Sequence, residues 1–224
     1  MKYTALIVVV GLALSSCDAP GRRTAEARTI RPSEVANFGQ LFSQNCSGCH
    51  GKDGQGALTV GIGRPIYLAV ADDAIIRRAI EEGRPGTPMP AFAQRAGGML
   101  TDAQIEILVR GIRNWATPGA FEHANLPSYA SSQAGDAARG RDLFARGCAS
   151  CHGQDGRGAR AIANGSYLAL VTDQHLRTLM IVGMPNLGMP DWRGHNMPLT
   201  DAELTDLVAW LASQRESLSA HLNH

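Results

Sequence analysis

The sequence predicts an all-α chain made of two small helical domains in tandem. Three observations carry this. A block recurs: Cys46-Ser47-Gly48-Cys49-His50 followed by GKDGQGA returns as Cys148-Ala149-Ser150-Cys151-His152 followed by GQDGRGA, 102 residues further on. The rest of the block follows in the same order, with Tyr67-Leu68-Ala69 matching Tyr167-Leu168-Ala169, Met89-Pro90 matching Met189-Pro190, and Leu100-Thr101-Asp102-Ala103 matching Leu199-Thr200-Asp201-Ala202. Between these matches, apolar residues recur at helical spacing and no alternating strand pattern is sustained. Matches in one order with small gaps indicate a duplication, and two copies make a pair rather than a solenoid.

Each copy predicts the same elements. Ser33 caps a first helix through Phe38, Leu41 and Phe42 towards Cys46, and Asp136 caps its counterpart through Leu143 and Phe144. Asp72, and Thr172 or Asp173, open a second pair of helices; Ile75, Ile76, Ala79 and Ile80 mark one, and Leu176, Leu179 and Met180 the other. Thr101-Asp102 and Thr200-Asp201 start the last helices, with Ile105, Leu108, Val109 and Ile112 matched by Leu204, Leu207, Val208 and Leu211. The glycine-rich stretches after each histidine read as loops. Thr117 to Gly135 carries prolines and serines with little pattern and reads as a linker.

Composition narrows the function. The chain has 224 residues, a formal net charge of +1, 44% hydrophobic residues, 5% aromatic residues and five cysteines. A charge near zero excludes a basic nucleic-acid binder as the default reading. The odd cysteine is explained by the amino terminus. Lys2 precedes the apolar run Ala5 to Leu14 and then Leu14-Ser15-Ser16-Cys17. That run is about half of the ~20 residues a membrane span requires, so it reads as a cleaved secretory signal. The segment resembles a bacterial lipoprotein signal with an LSSC lipobox. That resemblance implies that Cys17 is lipidated and becomes the first residue of the mature chain; an ordinary signal with a chance cysteine is the alternative. It also implies that Asp18 retains the protein on the cytoplasmic membrane. Asp18 to Pro32, with Arg22, Arg23, Arg28 and Arg31, then tethers the first domain.

The chemistry lies in C-x-x-C-H, the attachment signature of c-type haem. Cysteines three apart stand one helical turn from each other, so Cys46 with Cys49, and Cys148 with Cys151, can reach the two vinyl groups on one haem edge. His50 and His152 then lie under the iron as proximal ligands. A four-cysteine zinc site, a redox dithiol and plain disulfides are the competing readings. Zinc requires neither a histidine after each second cysteine nor a duplicated methionine downstream. Met89 and Met189 follow the matched glycines Gly83 and Gly183 and are the candidate sixth ligands, because a thioether suits low-spin haem iron. Met184 is the rival in the second copy, but its counterpart is Arg84, which cannot ligate iron. Met99, Met180 and Met197 have no partner in the other copy and read as core filler. His123, His175, His195, His221 and His224 read as surface or packing residues.

Each copy resembles a class I cytochrome c domain: N-terminal helix, CxxCH, glycine-rich loop, Met-Pro loop and amphipathic C-terminal helix. The pair resembles the exported dihaem cytochromes c of bacteria, over about Ser33 to Thr117 and Asp136 to Gln214. The resemblance implies two haem c groups, with His50 and Met89 on one iron and His152 and Met189 on the other. It implies a signal at 1–16, a lipidated tether at 17–32, cytochrome domains at 33–117 and 136–217, a linker at 118–135 and a tail at 218–224.

Departures from the family pattern are specific. Such domains place a glycine four before an aromatic on the first helix, so that an aromatic of the last helix packs close. Gly140, Phe144 and Trp210 keep this, whereas the first copy has Phe38, Phe42 and Gly111. Either Phe38 fills the space above Gly111, with knob and hole reversed, or Trp115 takes the aromatic role one turn later. Many class I domains also carry a proline whose carbonyl receives the histidine N–H. Pro65 is the candidate in the first copy, with Gly165 as its counterpart.

The function implied is that of a lipid-anchored, exported electron carrier on the periplasmic side. It would pass single electrons between redox proteins of a respiratory or photosynthetic chain. The alternatives are a cytochrome subunit of a larger oxidase or dehydrogenase complex, and a dihaem peroxidase or thiosulfate-oxidising enzyme. With two matched methionines, no small-molecule substrate is expected at the iron, and no nucleic acid as partner.

Overall fold

In a computed structural model the structure describes residues 29–222 apart from 123, 195 and 196, and for 216–222 the helix but not the side chains. The expected signal peptide, Cys17, Asp18, His123, His195 and His224 lie outside the described residues, as does the side chain of His221.

Each copy opens with a capped helix. α1 (Phe38–Asn45) begins after Asn37, whose side chain accepts from the Gln40 amide at 2.9 Å. Asn37 replaces Ser33 as the expected cap because it immediately precedes the first helical residue. α6 (Ala137–Gly147) is capped by Asp136, as the sequence predicts. The CxxCH residues follow in single turns, α2 (Ser47–His50) and α7 (Ala149–His152).

After the loops come α3 (Pro65–Val70) and α4 (Asp73–Glu82) in the first copy, and α8 (Gly165–Ala169) and α9 (Asp173–Val182) in the second. Asp72 and Thr172 cap α4 and α9 by accepting from the amides of Ile75 and His175. The last helices, α5 (Asp102–Arg113) and α10 (Asp201–Leu222), start with reciprocal caps of Thr101 with Gln104 and Thr200 with Glu203. Among the described residues there is no strand, only the isolated bridges Ala93–Leu100 and Met184–Met189.

First and last helices pack closely in both copies, through opposite hardware. A Cβ on Gly140 would stand 2.0 Å from the Asp206 carbonyl oxygen and 2.9 Å from Trp210 Cβ. Beside it the rings of Phe144 and Trp210 lie 4.2 Å apart. In the first copy the glycine sits on the last helix, and a Cβ on Gly111 would stand 2.0 Å from Phe38 Cδ2. Trp115 also takes an aromatic role, meeting Phe38 at 5.2 Å and Phe42 at 5.0 Å edge-on. Both readings of the first copy therefore hold together.

A duplicated arginine ties each last helix to the middle of its copy. Arg113 donates to the carbonyls of Leu68 and Ala71 and to Asp73. Arg215 donates to the carbonyls of Leu168 and Val171 and pairs with Asp173. The three targets repeat at an offset of 100 and the last helices at 99, but the arginines sit 102 apart, so the second clamp comes three residues, about one turn, later along its helix.

The two copies share apolar packing within one compact unit, Ser33–His224. Leu179, Ile181, Val182, Trp192 and Leu204 are buried in the same cluster as Leu41, Phe42 and Ile105. The segment read as a linker is pinned as a strap. Arg177, only 3% exposed, donates through Nε and Nη2 to the Ser128 carbonyl at 3.1 and 3.0 Å, and also bonds Thr205 and Asp201. Gln174 Nε2 donates to the Tyr129 carbonyl at 2.8 Å, and Phe121 meets Trp192 with the rings tilted and 6.3 Å apart. This Ser/Pro-rich segment is held by distant residues, the buried Arg177 among them, not by any pattern of its own.

Candidate functional site

Each C-x-x-C-H is held by the same local logic. The first helix delivers its cysteine in a continuous run, with the Cys46 amide bonded to the Phe42 carbonyl and the Cys148 amide to that of Phe144. The following single turn sets Cys49 and Cys151 outward, where both are exposed, while Cys46 and Cys148 are half-buried. None of the four is in a disulfide, so the disulfide reading does not describe this structure. Burial, then the neighbouring Cys49, pushes the Cys46 thiol up to about 12; burial, then Cys151, pushes Cys148 up to about 11. A site that disfavours thiolate suits neutral sulfur, as in a thioether, better than zinc. Among the described residues no three His, Cys, Asp or Glu side chains converge as a metal site, so the two pairs do not combine into a four-cysteine centre.

The histidines are oriented identically. His50 Nδ1 lies 3.0 Å from the Val60 carbonyl oxygen, and His152 Nδ1 lies 2.6 Å from that of Arg160. A carbonyl only accepts, so Nδ1 carries the proton and the Nε2 lone pair is left to bind a metal. Burial lowers the His50 pKa, the Val60 bond opposing it, which keeps the imidazole neutral. The acceptor is thus Val60 and not Pro65. Pro65 instead supplies the first residue of α3, where its missing N–H is harmless. Val60 and Arg160 stand at an offset of 100, and since a backbone carbonyl does this work no side-chain signature announces it.

The methionine loops are equally matched. Gly83 (φ 67°) and Gly183 (φ 70°) end α4 and α9, and a Cβ on either would stand 2.4 or 2.6 Å from the carbonyl carbon of Pro90 or Pro190. Only glycine lets the loop fold back so tightly. The loop then closes on itself: the Arg84 amide donates to the Met89 carbonyl at 2.9 Å, and the Met184 amide to that of Met189 at 2.9 Å. Arg84 and Met184 are therefore structural equivalents, as are Met89 and Met189, which are both half-buried. Met184 packs on the shared cluster with the first copy and, with Pro185 and Leu187, faces Gly56, Ala57 and Thr59 of the first copy's loop. Met180 packs against both cores, as core filler should, whereas Met197 is half-buried against the exposed Gly147 and joins neither core. Met99 differs: it is 76% exposed. His175, half-buried on α9, is pulled down to about 4, by burial first and then by His50 and Arg84.

An all-helical chain with two sets of paired thiols, an oriented imidazole and a glycine-hinged methionine loop defines a tandem c-type cytochrome. Comparison with known proteins places it more narrowly. The profile described as "Cytochrome C oxidase, cbb3-type, subunit III" matches residues 33–110 and again 135–211, and the chain belongs to this family. Membership brings covalently bound haem c, one per copy. The donor sets just described fit that group.

Three relatives are informative. The cytochrome bc1 complex cytochrome c subunit of Mycobacterium tuberculosis (strain ATCC 25618 / H37Rv) is 30% identical over 183 residues, 80% of this chain and 62% of that protein. The subunit of the same name from Corynebacterium efficiens is 26% identical over 233 residues, 96% of this chain and 76% of that protein. The cbb3-type cytochrome c oxidase subunit CcoP of Azospirillum sp. (strain B510) is 29% identical over 138 residues, 57% of this chain and 42% of that protein. The chain thus spans less than two thirds of the length of its mycobacterial relatives, 62% for that of Mycobacterium tuberculosis. Among the described residues no helix is long and apolar enough to cross a membrane.

Proposed function

We propose that this chain is an electron carrier, with Cys46, Cys49, Cys148 and Cys151 as thioether attachments and His50 with Met89, and His152 with Met189, as the two axial pairs. Haem bound at each site supplies a one-electron couple. The observation that carries the reading is the duplicated, register-matched donor set: an imidazole fixed through Nδ1 and a methionine on a glycine-hinged loop, twice. This chain's residues hold both axial positions and leave none for a substrate, which opposes the peroxidase and thiosulfate-oxidising alternatives. The fold also limits reorganisation around each site, since caps, clamps and shared core fix the ligand-bearing segments.

The carrier works as part of a membrane respiratory assembly, a reading supported by relatives named as subunits of a bc1 complex and of a cbb3-type oxidase. It is exported, lipidated at Cys17 and held on the periplasmic side of the cytoplasmic membrane. The expected domain limits, 33–117 and 136–217, complete the proposal. The test is purification of the native protein from membranes in mild detergent. Co-purification with a quinol-oxidising or oxygen-reducing complex, and rapid reoxidation of both haems by that complex, is expected. A chain that purifies alone and exchanges no electrons with the membrane complexes would contradict it.

A further inference from the structure

One polar cluster outside the ligand sets holds a cation and two phenols but no carboxylate. Arg84 Nη2 donates to the Tyr129 hydroxyl at 2.7 Å. Tyr129 comes from the strap between the copies and is fixed there by Gln174, while neighbouring Ser128 is fixed by Arg177. Tyr67, from α3, is 5% exposed, and burial raises its pKa, with Tyr129, Arg84 and Arg113 within electrostatic reach. Among the described residues, no group accepts the hydroxyl protons of Tyr67 or Tyr129 and no carboxylate pairs with Arg84. Arg113, by contrast, is paired with Asp73. A guanidinium beside two phenols makes a charge-assisted site for a carboxylate, which can accept from all three.

The cluster also adjoins the loop that carries Met89. Arg84 is bonded through its amide to the Met89 carbonyl, and His175 feels both Arg84 and His50. We propose that Arg84, Tyr129 and Tyr67 clasp a propionate carboxylate of the first copy's haem. The second copy keeps Tyr167 but has Met184 in place of Arg84, so it has no cation at this position; Arg160 reaches its methionine loop from another side, donating to the Leu187 carbonyl. A cation at this place favours the reduced, more negative state of the first haem. The two haems are therefore unequal, and the strap that joins the copies is also a contact of the first haem.

The inference rests on the two-haem reading above, and haem content per chain checks that reading separately. The test uses the full haem-loaded chain and its R84Q and Y129F variants, with R84K as the conservative control. Potentiometric titration and the propionate bending bands of the resonance Raman spectrum are the readouts. In R84Q one of the two midpoint potentials falls while the other stays; in R84K that potential is largely restored. Y129F, which changes no charge, shifts one propionate band. Unchanged potentials in R84Q, or propionate bands unchanged in both R84Q and Y129F, overturn the clasp. So does a wild-type potential that depends on added phosphate, which would identify a free anion as the occupant.

Discussion

Phe38 occupies the space that a side chain on Gly111 would need: its Cδ2 lies 2.0 Å from where a Cβ would stand. The second copy places the glycine on the other helix, with Gly140 under Trp210. The two crossings are one packing solution with knob and hole exchanged. Gly111→Ala is expected to cost about 1–3 kcal/mol through overpacking. The double change Phe38→Gly with Gly111→Trp rebuilds the second copy's arrangement and should cost less than the sum of its parts. Denaturant unfolding of the full chain and a double-mutant cycle measure this; strict additivity would show that the two residues do not share the space.

Much of this was legible because the duplication supplies an internal alignment. The helices, the caps at Asp72, Asp136 and Thr101, the glycines Gly83 and Gly183 and the matched ligand candidates all follow from residue types whose chemistry is local. What escaped is long-range or carried by the backbone. Val60 and Arg160 act through carbonyls, which any residue possesses, so the family pattern pointed to Pro65 instead. Arg177 reaches the strap from 49 positions away, and no periodicity encodes that. The clamps Arg113 and Arg215 fall outside the offset of their helices, because side-chain reach tolerates a shift in position that helix alignment does not.

Pro65 offers a test of the histidine geometry. Because the His50 proton goes to Val60, Pro65→Ala should leave both midpoint potentials unchanged and alter stability by well under the ~3 kcal/mol typical of a buried core loss. A shifted potential in this variant would return the role to Pro65.

Arg177 holds the strap from within the protein. Arg177→Met keeps the stem but abandons the Ser128 carbonyl and Thr205, and should cost about 1–3 kcal/mol; Asp201, half-exposed, recovers solvation. The sharper readout is limited proteolysis between residues 126 and 135, which should accelerate. Unchanged cleavage would show that the strap is held without Arg177.

Acid should find Asp206 early. Its carboxylate accepts from Arg139 Nε at 2.8 Å and from the Asp136 amide at 2.6 Å. The Arg139 hydrogen bond holds its pKa below the ordinary carboxylate value, against burial, which raises it. A depressed folded pKa means the stabilisation is complete above the unfolded value of ~3.9 and is lost as pH falls through it towards the folded one. Thermal stability should therefore drop more steeply below about pH 4 in the wild type than in Asp206→Asn. Parallel acid limbs would remove Asp206 from the account.

The central claim is that this chain fills both axial positions of both haems and so carries electrons without binding substrate. Exposure of the fully reduced, full-length protein to carbon monoxide tests it most directly. Neither haem should give a rapid, full-strength carbon monoxide spectrum if Met89 and Met189 hold the sixth positions as proposed. Fast and complete binding at either haem would contradict it and return the protein to the enzymes.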